Sequence, residues 1–211
     1  MENPHSYLEQ VTAQRRIEWA IDTYGVEGIV TTTSGGEKSM LLPHLLHRVL
    51  DQSPIIIFVD TGYYLRPTLK AIEEMKNQGY DVRIFSSLVS QKEIEERYPL
   101  WYKDPESEVF SEVLGIIKHE PLNRAFHELS PSVWIRGLCR YQSVARSHTP
   151  VLKNVNGLYH LHPIVDWSRQ QVEDYLNKYK LTRNLDHFDI TKGLDQKREC
   201  GIGESYTIRY E

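Results

Sequence analysis

Cys200 is the residue in this chain best placed to do chemistry. It lies in Gln196-Lys197-Arg198-Glu199-Cys200-Gly201-Ile202-Gly203, beside two cations and just before two glycines. Cations near a thiol favour the thiolate, which is the nucleophilic form. A lone cysteine in an average chain is instead a buried, inert apolar group. A polar segment offers little core to bury it in, so the surroundings predict a nucleophile, with Lys197 and Arg198 as its activators. A second concentration of chemistry is Arg136-Gly137-Leu138-Cys139-Arg140-Tyr141-Gln142-Ser143-Val144-Ala145-Arg146. The planar guanidinium fork suits phosphate or sulfate oxygens, so Arg140 and Arg146, with Gln142 and Ser143, are candidate anion ligands. The competing reading is a solvated helix face. A third is the Ser34-Gly35-Gly36 turn with Ser39 five residues on from Ser34. Glycines let the backbone approach a ligand, hydroxyls donate, and unpaired N–H groups at a helix start favour an anion. Taken alone, such a turn is also found in ordinary strand-to-helix connections. Asp60-Thr61-Gly62 is the fourth, either a ligand-binding turn or a helix cap.

These groups need a scaffold, and the hydrophobic pattern supplies one. Residues 27–46 (EGIVTTTSGGEKSMLLPHLL) pass from a short apolar run through the serine-glycine turn into a helical pattern, which reads as strand, loop, helix. Ile55-Ile56-Ile57-Phe58-Val59 is an unbroken apolar run of the kind found in strands buried on both faces, and it ends at Asp60. A helix over 67–77 and a strand over 81–85 follow, then helices over 90–98 and 109–129, the latter interrupted near His119 to Pro121. Val133-Trp134-Ile135 is a fourth strand, leading into Arg136. Asn156-Gly157 marks a hairpin turn between residues 151–155 and 158–161. Ser168 and Gln171 form a capping box for a helix ending near Tyr179, with Asp166 and Trp167 before it read as structural. Residues 6–24 read as one amphipathic helix. Strand and helix alternate, so the expectation is an α/β fold: an open, mostly parallel twisted sheet with helices on both faces. Candidate ligand residues then gather at the C-terminal ends of the strands.

Composition narrows the function classes. The 211 residues carry a formal charge of −4 at pH 7, which gives no general basic field for a nucleic-acid backbone. An anionic ligand must be met by a local cluster, so a small molecule is favoured over nucleic acid. No apolar run approaches a membrane span, and the opening residues MENPHSYLEQ lack the pattern of a signal peptide, which predicts a cytoplasmic protein. The two cysteines, Cys139 and Cys200, are far apart and form no CxxC pair, so neither a zinc ribbon nor a four-cysteine iron–sulfur site is expected, and no metal site is predicted.

Taken in order, Ser34-Gly35-Gly36, Val59-Asp60-Thr61-Gly62-Tyr63, Arg97-Tyr98, Glu120-Pro121-Leu122-Asn123-Arg124-Ala125, Gly137 to Ser143, Pro163 to Trp167 and Lys197-Arg198-Glu199-Cys200-Gly201 resemble the landmarks of the sulfonucleotide reductases. The similarity is greatest to those acting on 3′-phosphoadenylyl sulfate (PAPS). It covers nearly the whole chain. The resemblance implies an adenine nucleotide α-hydrolase-like fold, related to the PP-loop ATP pyrophosphatases, in which residues 1–180 form the nucleotide-binding part and 181–211 a flexible tail carrying the cysteine. It implies attack of Cys200 on the sulfur of PAPS, an S-sulfocysteine intermediate, and release of sulfite by reduced thioredoxin or glutaredoxin, with no bound cofactor. Ser34, Gly35, Gly36 and Ser39 would hold the phosphosulfate end. Asp60, Thr61 and Gly62 would lie near the nucleoside, and Arg140, Gln142, Ser143 and Arg146 would clamp oxygens. Relatives of this kind are often homodimers.

The chain departs from the family pattern at several places, among them the extra residues 204–211 after the signature. Gly203 stands where a histidine is usual, Cys139 stands where an arginine is common, and residues 182–196 replace a longer segment. These leave open adenylyl sulfate (APS) as the substrate and a non-catalytic nucleotide sensor as a further class. A PP-loop ATP pyrophosphatase or adenylyltransferase is the remaining alternative. Its loop usually carries an aspartate for Mg²⁺ where this chain has Lys38, which repels a metal and attracts an anion.

Overall fold

The computed structural model describes residues 4–50, 52–196 and 198. Six strands form one sheet: β1 (Ile29–Thr33), β2 (Ile55–Asp60), β3 (Val82–Ser86), β4 (Val133–Ile135), β5 (Leu152–Val155) and β6 (Leu158–Leu161), in the order β3-β2-β1-β4-β6-β5. Every pairing is parallel except the β5–β6 hairpin, which turns at Asn156-Gly157. Both turn residues have positive φ, at 52° and 91°, the conformation that an asparagine-glycine pair accommodates. From β1 the chain adds strands on one side (β2, β3) and then crosses to the other (β4). That reversal opens a crevice beyond the C-terminal ends of β1 and β4.

Alternate side chains of the strands feed two faces. Ile29, Val133 and Ile135 pack with α2 (Ala13–Tyr24), α3 (Leu41–Leu50) and α8 (Arg169–Lys178), while Ile56 and Phe58 meet Ile72 and Met75 of α4 (Arg66–Asn77). Val30, Ile57, Val59 and Trp134 point the other way, onto Leu122, Ala125 and Phe126 of α7 (Glu120–Leu129). The expected parallel sheet covered on both faces is therefore what forms. A further buried cluster, centred on Trp101 and Phe110, joins α5 (Gln91–Arg97) to α6 (Glu108–Leu114).

Three local features refine the sequence reading. The single helix expected over 6–24 is two, α1 (Pro4–Gln10) and α2, because Thr12 leaves helical geometry and caps α2 by accepting the Arg15 N–H. The interruption between α6 and α7 is a π-helical turn, Gly115–His119, which carries the chain without a break into α7, where Pro121 occupies the first turn. The arginine-rich stretch after β4 is not a helix. It runs extended to Cys139 and then makes two 3₁₀ turns, Arg140–Gln142 and Val144–Arg146.

Asp166 has the structural role expected. Its two oxygens accept from the buried Arg16 guanidinium at 2.7 and 2.8 Å, and Arg16 also donates to the carbonyls of Leu8 and Pro163. Burial pushes the Asp166 carboxyl up, but the Arg16 bonds and charge outweigh it and hold the group below its ordinary value. Ser168 and Gln171 make the reciprocal capping box at the start of α8.

Candidate active site

At the crevice, β1 runs out at Thr33 and the chain turns through Ser34-Gly35-Gly36 toward α3. Gly35 has φ of 66°, and a Cβ there would lie 2.8 Å from Thr68 Cγ2 on α4. Only glycine lets the turn pack this closely. Ser39 closes the loop on itself, since both its N–H and its hydroxyl donate to the Gly36 carbonyl, at 3.0 and 2.6 Å. Ser34 stays exposed at the tip.

The loop forms the floor of a cleft of about 550 Å³. Thr32, Ile57, Val59 and Trp134 supply its base from β1, β2 and β4. One wall is Arg136, Gly137 and Leu138 at the exit of β4, continued by Gln142 and Arg146. The Arg136 guanidinium is buried, lies 4.2 Å over the Trp134 ring and reaches His160 Nδ1 at 3.4 Å. Arg146 donates to Gln142 Oε1. Lys38 stands at the mouth, 3.1 Å from Glu173 of α8.

Lys118 and the segment after α8 make the opposite wall. The π turn places Lys118 beside β2 with its ammonium buried, 3.1 Å from Asp189 Oδ2 and 2.5 Å from Thr191 Oγ1. Asp189 also accepts from the Thr191 hydroxyl and N–H. Burial pushes the Asp189 carboxyl up, but the Lys118 charge and the bonds from Thr191 and Lys118 together hold it below its ordinary value. Farther back, Asn184 donates to the Gly35 carbonyl at 2.8 Å and to Thr68 Oγ1 at 3.1 Å, and the same hydroxyl meets His187 Nδ1 at 3.2 Å. The His187 ring stacks on Tyr64 and lies against Gly36. Burial lowers its pKa, which favours the neutral ring. Residues 184–192 thus seat on the loop and on α4 rather than standing clear of the fold.

Of the candidates read from sequence, Ser34, Gly36, Ser39, Gln142 and Arg146 come together on the cleft wall, and Gly35 lies directly behind it. Asp60, Thr61, Gly62, Arg140 and Ser143 do not line it. Asp60 Oδ1 accepts the Gly62 N–H at 2.9 Å and Thr61 Oγ1 the Tyr63 N–H, so these two side chains serve the turn itself. Arg140 is drawn away, donating to the Thr149 carbonyl at 2.9 Å and pairing with Glu9 at 3.1 Å. Arg198 donates to the Pro105 carbonyl and lies 4.9 Å over Phe110. Cys200 and Lys197 lie outside the described residues. The other cysteine, Cys139, is buried, its thiol donates to the Ile164 carbonyl at 3.2 Å, and burial raises its pKa to about 11. It is a packed thiol, not a thiolate.

Sequence reasoning did not single out Lys118, Asn184, His187, Asp189 or Lys192 as site residues. Arg136 was legible as the first residue past a strand end. Lys118 carried no signal, because only the π turn gives it its direction. A larger groove of about 810 Å³, between α2, α3 and α8, is lined by Trp167, Tyr175 and Tyr179 and contains none of the loop.

Comparison with known proteins agrees with this geometry. The phosphoadenosine phosphosulfate reductase domain family matches residues 28–185. The chain is 33% identical to a phosphoadenosine 5′-phosphosulfate reductase of Salmonella agona, over 95% of this chain and 90% of the relative. It is 34% identical to one of Yersinia pseudotuberculosis, over 96% of this chain and 79% of the relative. In fold it is similar to the phosphoadenylyl-sulfate reductase of Candida auris, with a TM-score of 0.70 at 21% identity and 85% coverage of both chains. It is also similar to an NH3-dependent NAD synthetase of Campylobacter jejuni, with a TM-score of 0.56 at 15% identity over 92% of this chain and 83% of that one. The match spans the loop, the Lys118 turn and the arginine wall together, and the chain belongs to the phosphoadenosine phosphosulfate reductase domain family.

Proposed function

We propose that this protein reduces 3′-phosphoadenylyl sulfate to sulfite in sulfate assimilation, with Cys200 as nucleophile and a reduced dithiol protein, thioredoxin or glutaredoxin, as electron donor. The reading is carried by one observation: the glycine-serine loop and the arginines Arg136 and Arg146 converge on one cleft at the strand ends of a chain whose family is named for this reaction. That family membership supports the oxidoreductase class and a nucleotide substrate. A cytoplasmic location is part of the same proposal. Among the described residues no helix is long and apolar enough to cross a membrane.

In the first step the Cys200 thiolate attacks the sulfate sulfur. A sulfur–sulfur bond forms, the bond from sulfur to the bridging phosphate oxygen breaks, and its electron pair leaves with adenosine 3′,5′-bisphosphate. Negative charge grows on that oxygen, and fixed cations and N–H groups around it lower the barrier. The loop backbone, Arg136 and Arg146, which line the cleft, are assigned this role. In the second step a partner thiolate attacks Cys200 Sγ, the bond to the sulfonate breaks and sulfite departs with the pair. The partner's second thiol then displaces Cys200, so two partner thiols become a disulfide while sulfur(VI) becomes sulfur(IV). Cys139, buried and protonated, supplies no second thiolate, which supports an external source for both electrons.

The test is sulfite release from PAPS with reduced thioredoxin supplied. Wild-type protein is expected to turn over and Cys200→Ser to stop while still binding nucleotide. Unchanged sulfite release from Cys200→Ser would overturn the proposal.

A further inference from the structure

Past Asp189 the chain packs onto a ledge made by α5, α6 and the loop between them. Ile190 joins the buried cluster of Trp101 and Phe110. Gly193 has φ of 79°, and a Cβ there would lie 3.1 Å from Pro105 Cγ, so the turn presses on that loop in a conformation suited to glycine. Gln196 laces the segment together. Its side-chain amide accepts the Asp189 N–H at 3.0 Å and donates to the carbonyls of Asp189 and Gly193 at 2.9 and 2.8 Å. The Arg198 N–H then returns to the Lys192 carbonyl at 3.1 Å.

The Arg198 side chain fastens the end of this segment to the same ledge. Its guanidinium donates to the Pro105 carbonyl and lies over the face of Phe110. The nearby Glu106 carboxylate is 3.8 Å away and 85% exposed, so that pair adds little. The carbonyl bond and the ring do the holding. From its place beside Cys200 in the sequence, this guanidinium reads as an activator of the thiol. Its contacts give it a different task, because they commit the planar fork to Pro105 and Phe110. Cys200 is two residues on, a span of at most about 7 Å between Cα atoms. Fixing Arg198 therefore limits where the sulfur can travel, which removes entropy otherwise lost on the way to attack.

We propose that Arg198 is a positioning residue: its contacts with Pro105 and Phe110 moor the segment that carries Cys200, and its charge is not what activates the thiol. The inference rests on the reduction proposed above, and its test separates the two. Full-length wild type is compared with Arg198→Met and Arg198→Lys in single-turnover transfer of SO₃ from PAPS to Cys200, in the pH profile of Cys200 alkylation by iodoacetamide, and in hydrogen exchange across residues 189–198. Misplacing the nucleophile is expected to slow transfer at saturating PAPS about ten- to a hundredfold in Arg198→Met. Affinity for adenosine 3′,5′-bisphosphate and the alkylation midpoint are expected to stay at wild-type values, and exchange to quicken. Arg198→Lys keeps the charge without the planar fork, and is expected to behave more like Arg198→Met than like wild type. A midpoint that rises in Arg198→Met and returns in Arg198→Lys would overturn the assignment in favour of thiol activation. Transfer or exchange left at the wild-type rate would overturn it too, as would weaker nucleotide binding. Wild-type protein that forms no adduct, with exchange still quickened in Arg198→Met, would sink the reaction and leave the mooring standing.

Discussion

Gly36 sits where a methyl would be tight against two groups. A Cβ there would lie 3.0 Å from His187 Cδ2 and 3.3 Å from Ser34 Oγ, and His187 is held by Thr68 and by its stack on Tyr64. Gly36→Ala is expected to cost about 1–3 kcal/mol, read from denaturant melts, and to weaken nucleotide binding, because the ring must shift by about a few tenths of an ångström against its bond to Thr68. Unaltered stability with unaltered affinity would show that the ring does not clamp the loop. The same scale shows what sequence could reveal. Ser34, Gly36, Ser39 and Arg146 were legible as cleft residues because each residue type has a narrow use at a strand end, whereas Gly62 and Ser143 fitted the same pattern and do not line the cleft. Arg140 matched the same chemical pattern yet is turned toward Glu9 and Thr149, since one residue's rotation through a 3₁₀ turn decides which side a guanidinium faces.

The elements around the cleft were mostly legible, because the apolar runs of β1, β2 and β4 and the asparagine-glycine hairpin have distinctive periods. The segment after α8 was not. It is polar and irregular in sequence, and its order comes from partners far along the chain, above all the buried Lys118–Asp189 pair between a π turn and a 3₁₀ turn. Breaking a buried pair strands a charge, so Asp189→Asn or Lys118→Met is expected to cost about 3–5 kcal/mol. The double replacement Lys118→Met with Asp189→Leu is expected to cost less than either alone, measured by denaturant midpoints. Additive losses would contradict a direct pairing. The pair also predicts a pH dependence. The Asp189 carboxyl is depressed in the folded state, so its contribution is fully present above the unfolded carboxylate pKa of about 3.9. It is lost as pH falls through the lower folded value. The Asp189→Asn variant is expected to show a flatter decline over that acid range.

At the scale of the whole molecule, the reversal of strand order between β1 and β4 brings together stretches that are distant in sequence. The loop after β1, the arginines after β4 and the residues after α8 meet only because three parallel strands end side by side. On the proposed reading that arrangement makes the cleft a holder of anions, while the soft nucleophile required by the proposed chemistry stands beyond residue 198. Anion binding and sulfur transfer are therefore separable properties, and the second is the central claim. The most direct test mixes the full-length protein with PAPS without any reductant, followed by intact-protein and peptide mass spectrometry. The account predicts a gain of one SO₃ unit on Cys200 and release of one equivalent of adenosine 3′,5′-bisphosphate. Bound nucleotide with Cys200 unmodified would contradict it.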